Sequence, residues 1–149
     1  MRAVIQRVTS AHVRVGDRVV GEIDNGLLVL AGVEQDDGAD DVKYIAGKVC
    51  DIRIFEDASG KMNLSVVDAG GALLVVSQFT LCGDCRSGRR PSFDAAATPS
   101  DAKVIYDNLL GALRSSKLQV HTGEFQAHMQ VELINDGPVT ILLDSRRRW

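Results

Sequence analysis

Two short apolar runs constrain this chain most. Leu27–Val33 reads LLVLAGV and is bounded by Gly26 and Glu34; Ala72–Ser77 reads ALLVVS. A strand with one wet face alternates polar and apolar residues, whereas a run of strand length that is apolar throughout belongs inside a sheet covered on both sides. Further strands are expected around these two. Arg2–Val8 places Ala3 and Ile5 between polar neighbours. His12–Val15 and Arg18–Ile23 flank Gly16-Asp17, a hairpin signal. Ile52–Phe55 returns to strand before the turn Asp57-Ala58-Ser59-Gly60, and Met129, Val131 and Leu133 alternate with Gln130 and Glu132. Asp136-Gly137-Pro138 then interrupts, and Val139–Leu143 makes the last strand.

Two segments change period. From Asp40 to about Cys50, the residues Val42, Ile45, Ala46 and Val49 fall at helical spacing. Thr98-Pro99-Ser100-Asp101 marks a helix start: Thr98 caps, Pro99 suits the first helical position and Asp101 favours the positive end of the dipole. That helix runs to about Arg114, with Ile105, Leu109 and Ala112 on one face. Strands come in runs instead of alternating with helices. The expected class is α+β: one compact domain over 1–149, with largely antiparallel or mixed sheets and two main helices.

The chain's 45% apolar and 25% charged residues are those of a soluble globular protein. No apolar run reaches the ~18 residues of a membrane span, and Met1-Arg2-Ala3-Val4 passes directly into a strand pattern with no apolar leader. A cytoplasmic location with no membrane partner is expected. A net charge of −3 excludes indiscriminate nucleic-acid binding, so any RNA contact must come from local patches. Two are visible: Arg86, Arg89 and Arg90 in a Gly-containing loop, and the tail Arg146-Arg147-Arg148-Trp149. Each reads either as solvated surface charge or as a phosphate contact. The tail also reads as a disordered end.

Cys82-Gly83-Asp84-Cys85 is a CxxC, but no second ligand pair accompanies it, and His12, His121 and His128 are scattered. A structural zinc site needs about four ligands. A reactive thiol favours a helix start, whereas a Gly- and Arg-rich loop follows here. Incidental thiols are the expectation, with no metal and no cofactor. Nor does the chain carry GxSxG, a P-loop, HExxH or a carboxylate pair. An enzyme built this way draws on backbone groups or on its substrate.

Two polar segments stand out. Ser77-Gln78-Phe79-Thr80-Leu81 follows a buried strand directly, where hydroxyls, a carboxamide and an aromatic ring crowd its end. It reads either as a turn or as a pocket wall. Asn135-Asp136-Gly137-Pro138-Val139-Thr140 lies between two strands. It reads either as a turn or, if the Gly–Pro bond is cis, as a rigid unit presenting its carbonyls to a ligand.

With these segments the chain resembles the D-aminoacyl-tRNA deacylases, the D-tyrosyl-tRNA(Tyr) deacylase family, over nearly its whole length. The matching stretches are AVIQRV at 3–8, GLLVL at 26–30, RIFED at 53–57, GKMN at 60–63, SQFTL at 77–81, RPSF at 90–93, Thr122-Gly123 with Phe125, and NDGPVT at 135–140. SQFTL and NDGPVT in this order and separation are the specific pair. The resemblance implies a homodimer that hydrolyses the ester between a D-amino acid, or glycine, and the 3′-terminal adenosine of tRNA. It implies that Ser77, Gln78, Phe79 and Thr80 build the pocket and the oxyanion site. It further implies that a cis Gly137–Pro138 unit enters the partner subunit's pocket and rejects L-amino acids, that Arg7 holds this unit, and that Phe125 and Met129 lie near the site. Either the 2′-hydroxyl of the tRNA assists a backbone-stabilised attack or Thr80 is the nucleophile; the first is preferred, because no base neighbours Thr80 in sequence. His128, within Gln126-Ala127-His128-Met129, departs from the family pattern and is expected to be a partly exposed residue at a strand entry. The rival readings are a non-catalytic RNA-end module and an editing domain for L-amino acids.

Overall fold

A computed structural model describes residues 1–148; Trp149, the end of the basic tail, lies outside the described residues. In chain order the elements are β1 Arg2–Val15, β2 Arg18–Ile23, β3 Gly26–Gly32, α1 Ala39–Asp51, β4 Phe55–Glu56, β5 Met62–Leu64, β6 Ala72–Ser77, a 3-10 turn Phe79–Cys82, α2 Pro99–Arg114, β7 Val120–Thr122 and β8 Gln130–Asp144.

The two apolar runs sit at the centre. β3 and β6 pair in parallel from Gly26 opposite Ala72 to Ala31 opposite Ser77. β1 lies antiparallel to β3, and β7 lies parallel to β6. The sheet is therefore mixed, as expected. Alternate residues of the two runs enter two separate cores. Leu27, Val29, Leu73 and Val75 face α1 and α2, meeting Ile45, Val49, Leu109 and Leu113. Leu28, Leu74 and Val76 face the other way and pack with Val8, Val13 and Ile23. Ile23 of β2 and Leu74 of β6 share one cluster although other strands separate them in the sheet. The sheet thus curls around this second core towards a barrel.

The helices follow their local signals. Thr98 Oγ1 accepts the Asp101 N–H at 3.3 Å, with Pro99 at the start of α2. The Asp41 carboxylate accepts the Gly38 N–H at 2.9 Å at the start of α1. Val42, Ile45, Ala46 and Val49 are all buried.

Three readings need correction. The segments around Thr9 and Ser10 form one strand, β1, whose register shifts where the alternation fails. The expected strand at Ile52–Phe55 pairs only from Phe55. The expected break at Asp136-Gly137-Pro138 is a bulge inside β8: Gln6 faces Thr140 and Val8 faces Asn135, so Asp136 to Val139 stand opposite Arg7 alone. Pro138 has no N–H to give the ladder, which favours a bulge at this point.

Candidate active site

β6 ends at Ser77, and the chain turns at once into the 3-10 segment. This turn makes Gln78 and Phe79 the lip of a pocket of about 620 Å³, whereas Thr80, the next residue, does not line it. That volume suits a small-molecule group or the end of a polymer. Ser77, Gln78 and Phe79 line it on one side, Phe125, His128 and Met129 on another, and Phe93, Ala97 and Pro99 close a third. Phe79 and Phe93 meet edge to face with ring centroids 5.1 Å apart, yet both remain exposed, at 59% and 37%. A pair of aromatic rings left open to solvent is a surface on which a planar group can stack.

The wall beyond β7 is built by a tight turn. Gly123 N–H donates to the Val75 carbonyl at 3.1 Å, and Ala127 N–H to the Glu124 carbonyl at 3.2 Å. Gln126 adopts φ +62°. A Cβ on Gly123 would lie 2.6 Å from Met129 Sδ, so a side chain there would displace the Met129 thioether. Phe125 is held against Tyr106 at 5.8 Å, and the Tyr106 hydroxyl donates to the Val75 carbonyl at 2.9 Å. Burial pushes the Tyr106 phenol upward, so it stays a neutral donor.

The 3-10 turn's own hydrogen bonds begin at Leu81 N–H, which donates to Gln78 O at 3.3 Å. The amides of Phe79 and Thr80 precede that bond, in the position of free donors at a helix start. Gln78 Nε2 donates to Thr80 Oγ1. Among the described residues no His, Asp or Glu hydrogen-bonds to Thr80.

Arg7, Gly137 and Pro138 lie elsewhere. None lines this pocket. Arg7 is buried, 5% exposed, in β1. It donates through Nε to the Asp136 carbonyl at 3.1 Å, pairs with Asp136 Oδ2 at 3.2 Å and donates through Nη1 to Ile54 O at 2.5 Å. Its guanidinium also lies 5.9 Å from the Phe55 ring centroid. The Arg7 fork thus ties the β8 bulge to the segment after α1. At the bulge crest the Gly137–Pro138 peptide is cis and both residues are exposed. The same strand exposes Ile134 at 62% and Leu142 at 58%. One chain therefore carries two separate constellations, a pocket and a projecting bulge.

A family model described as D-Tyr-tRNA(Tyr) deacylase matches residues 4–144. The chain belongs to that family. Proteins named D-aminoacyl-tRNA deacylase from Thermosipho africanus and Anaeromyxobacter dehalogenans are 58% and 60% identical over 147 residues, covering 99% of this chain and of each relative. A solved c-Myc DNA unwinding element binding protein superposes with a TM-score of 0.91 at 40% identity, over 97% of this chain and 98% of that one. A solved probable eukaryotic D-amino acid tRNA deacylase shares the fold, with a TM-score of 0.80 at 17% identity over 95% and 97% of the two chains.

The remaining candidates of this family member divide clearly. The tail is an internal ion-pair system, and disorder is not its state over Arg146–Arg148. Arg148 Nε pairs with Asp144 at 2.6 Å and its Nη2 bonds to Glu34; Arg146 pairs with Asp37 at 3.2 Å; Arg147 lies 5.4 Å from the Tyr44 centroid. Two of its cations are thus already held by carboxylates. Cys82 is buried with its thiol 3.5 Å from Val33 O, and burial raises it away from the reactive thiolate, while Cys85 is exposed. Among the described residues no group of three or more His, Cys, Asp or Glu could hold a metal ion, and no helix is long and apolar enough to cross a membrane. Sequence reasoning assigned no place in the pocket to Phe93, Ala97 or Pro99. The one available signal was Phe93, which lies in the matching RPSF stretch.

Proposed function

We propose that this chain is a homodimeric hydrolase of the cytoplasm that cleaves the ester joining a D-amino acid, or glycine, to the 3′-terminal adenosine of tRNA. The split of the site carries this reading: the pocket lip at Ser77–Phe79 and the exposed Gly137–Pro138 crest belong to one chain but do not meet within it. In a two-fold dimer any contact made by one subunit is repeated by the other, so a crest that enters the partner's pocket completes both sites at once. The exposed Ile134 and Leu142 on the same strand suit such an interface.

Within the composite site, water adds to the ester carbonyl. The tetrahedral oxyanion accepts the main-chain N–H groups of Phe79 and Thr80. Collapse breaks the bond to the adenosine 3′-oxygen, which takes the proton given up by the attacking water, relayed through the neighbouring 2′-hydroxyl. The free amino acid and tRNA leave. Selectivity comes from exclusion. D and L forms carry the same groups, so attraction separates them poorly, whereas a rigid wall on the side occupied by an L side chain penalises only that form. Glycine, with no side chain, passes.

The test is hydrolysis of matched D-tyrosyl- and L-tyrosyl-tRNA by the purified protein. Release of the D ester alone supports the reading. Release of both makes the chain an editing enzyme of different specificity. Release of neither, with tRNA binding intact, leaves a nucleic-acid-binding module. A 2′-deoxy terminal adenosine should slow the reaction strongly, and Thr80→Ala should retain activity; the opposite pair of results would make Thr80 the nucleophile.

A further inference from the structure

We infer that Arg89 and Arg90 form a phosphate clamp at the pocket mouth that takes the backbone of the single-stranded 3′ end of tRNA. The inference rests on the deacylase reading and adds a binding element to it.

The loop after the 3-10 turn is a short arm closed at its base. Asp84 N–H donates to Ser92 O at 2.7 Å and Ser92 N–H returns to Asp84 O at 3.0 Å. Its charges are unevenly used. Arg86 donates to the Asp84 carboxylate through Nε at 2.9 Å and Nη2 at 2.6 Å. These bonds hold the Asp84 carboxyl well below the usual carboxylate range, so this pair is neutral overall. Arg89 and Arg90 are exposed and make neither hydrogen bond nor ion pair among the described residues. Gly88, at φ +70°, turns the chain just before them. The arm thus presents two adjacent unspent guanidinium groups.

The arm's base is the pocket wall itself. Phe93 closes the pocket and touches Phe79. Arg90 precedes Phe93 by three residues, which keeps its Cα within about 10 Å of the wall. A terminal adenosine seated in the pocket is joined through its 5′-oxygen to the rest of the RNA, so the next phosphodiesters must leave across this mouth. With a net charge of −3, the chain leaves contacts to a polyanion to local basic groups such as these. Guanidinium also matches phosphate oxygens in a two-point fork.

The experiment compares two substrates of the full-length protein: D-tyrosyl-tRNA, which carries the phosphates, and the D-tyrosyl ester of adenosine, which carries none. The double variant Arg89→Ala/Arg90→Ala should lower the ratio of kcat/KM for tRNA over adenosine ester about tenfold at low salt, through KM. Two lost phosphate contacts should flatten the slope of log(kcat/KM) against log[salt] by about 1.4 for a single strand, so between 50 and 200 mM salt the wild type loses about sevenfold more than the variant. Arg89→Lys/Arg90→Lys should recover the salt slope. An unchanged ratio overturns the clamp. So does an equal loss on both substrates, which would mean a collapsed wall, and so does loss of the dimer in sedimentation, which would make the arm a subunit contact. Wild-type inactivity towards both substrates would instead fail the deacylase reading.

Discussion

Gly137 shows how much one residue is asked to do. Its φ of +122° is closed to ordinary L side chains, and an added Cβ would lie 2.9 Å from Val139 Cγ2, 3.1 Å from Val139 N and 3.2 Å from Arg7 Nη2. Gly137→Ala must therefore shift the crest and disturb the Arg7 fork. A stability loss of roughly 1–3 kcal/mol is expected in urea unfolding. The ratio of D-tyrosyl- to L-tyrosyl-tRNA hydrolysis should fall at least tenfold by the order-of-magnitude rule that 1.4 kcal/mol is tenfold. A stable variant with wild-type selectivity would remove the crest from the selectivity mechanism. Single residues were also where the sequence was most legible for function. SQFTL and NDGPVT stand out because their polar and conformationally special residues interrupt apolar runs. Phe93 and Ala97 do not, since an aromatic and an alanine in a loop look alike whether they wall a pocket or merely fill space.

Among elements, legibility followed length and burial. β6 was readable because Leu73 to Val76 each enter one of two cores, and α2 was readable because Thr98 and Pro99 write its start. β7, three residues from Val120 to Thr122, was not. Three residues carry no period, and this strand exists because β6 offers it a parallel partner. The segment after β6 was legible as a turn or a pocket wall, but not as a 3-10 turn, which is set by the abrupt exit of β6. The start of α2 is a pocket wall as well as a helix end, through Pro99. Thr98→Ala removes the acceptor for Asp101 N–H and should cost about 1 kcal/mol. Chemical denaturation should show the loss, with the D-selective activity retained at a temperature well below the melt.

At the scale of the whole molecule, the two chain ends are locked together. The Met1 ammonium is buried and pairs with Asp37 at 2.6 Å and donates to Ser145 Oγ at 2.7 Å; around it stand Glu34, Asp144, Arg146 and Arg148. For Glu34, burial works upward, but the Arg148 hydrogen bond and the charges of Arg2, Arg148 and the amino terminus outweigh it and hold the carboxyl low. Asp144 is likewise lowered against its burial by Arg148 and the Arg146 amide. A carboxyl depressed in the folded state contributes stability above its unfolded pKa and loses that contribution as pH falls towards the folded value. The melting temperature should hold between about pH 5 and 7 and drop once pH passes below about 4, the ordinary carboxyl range. A flat profile down to pH 3 in thermal scans would show that this cluster adds nothing.

The separation of pocket and crest has a genetic consequence. In the proposed dimer, a subunit with a broken crest would spoil its neighbour's site and leave its own pocket sound. A subunit with a broken pocket would do the reverse. Mixed dimers of Gly137→Ala and a pocket variant such as Phe79→Ala would gather both lesions into one site and leave the other whole. Co-expressing two such defective alleles with different affinity tags and purifying the doubly tagged species should restore about half of the D-selective activity. Two defective genes would complement each other within one protein, whereas a site built wholly within each chain would leave the mixture as defective as its parents.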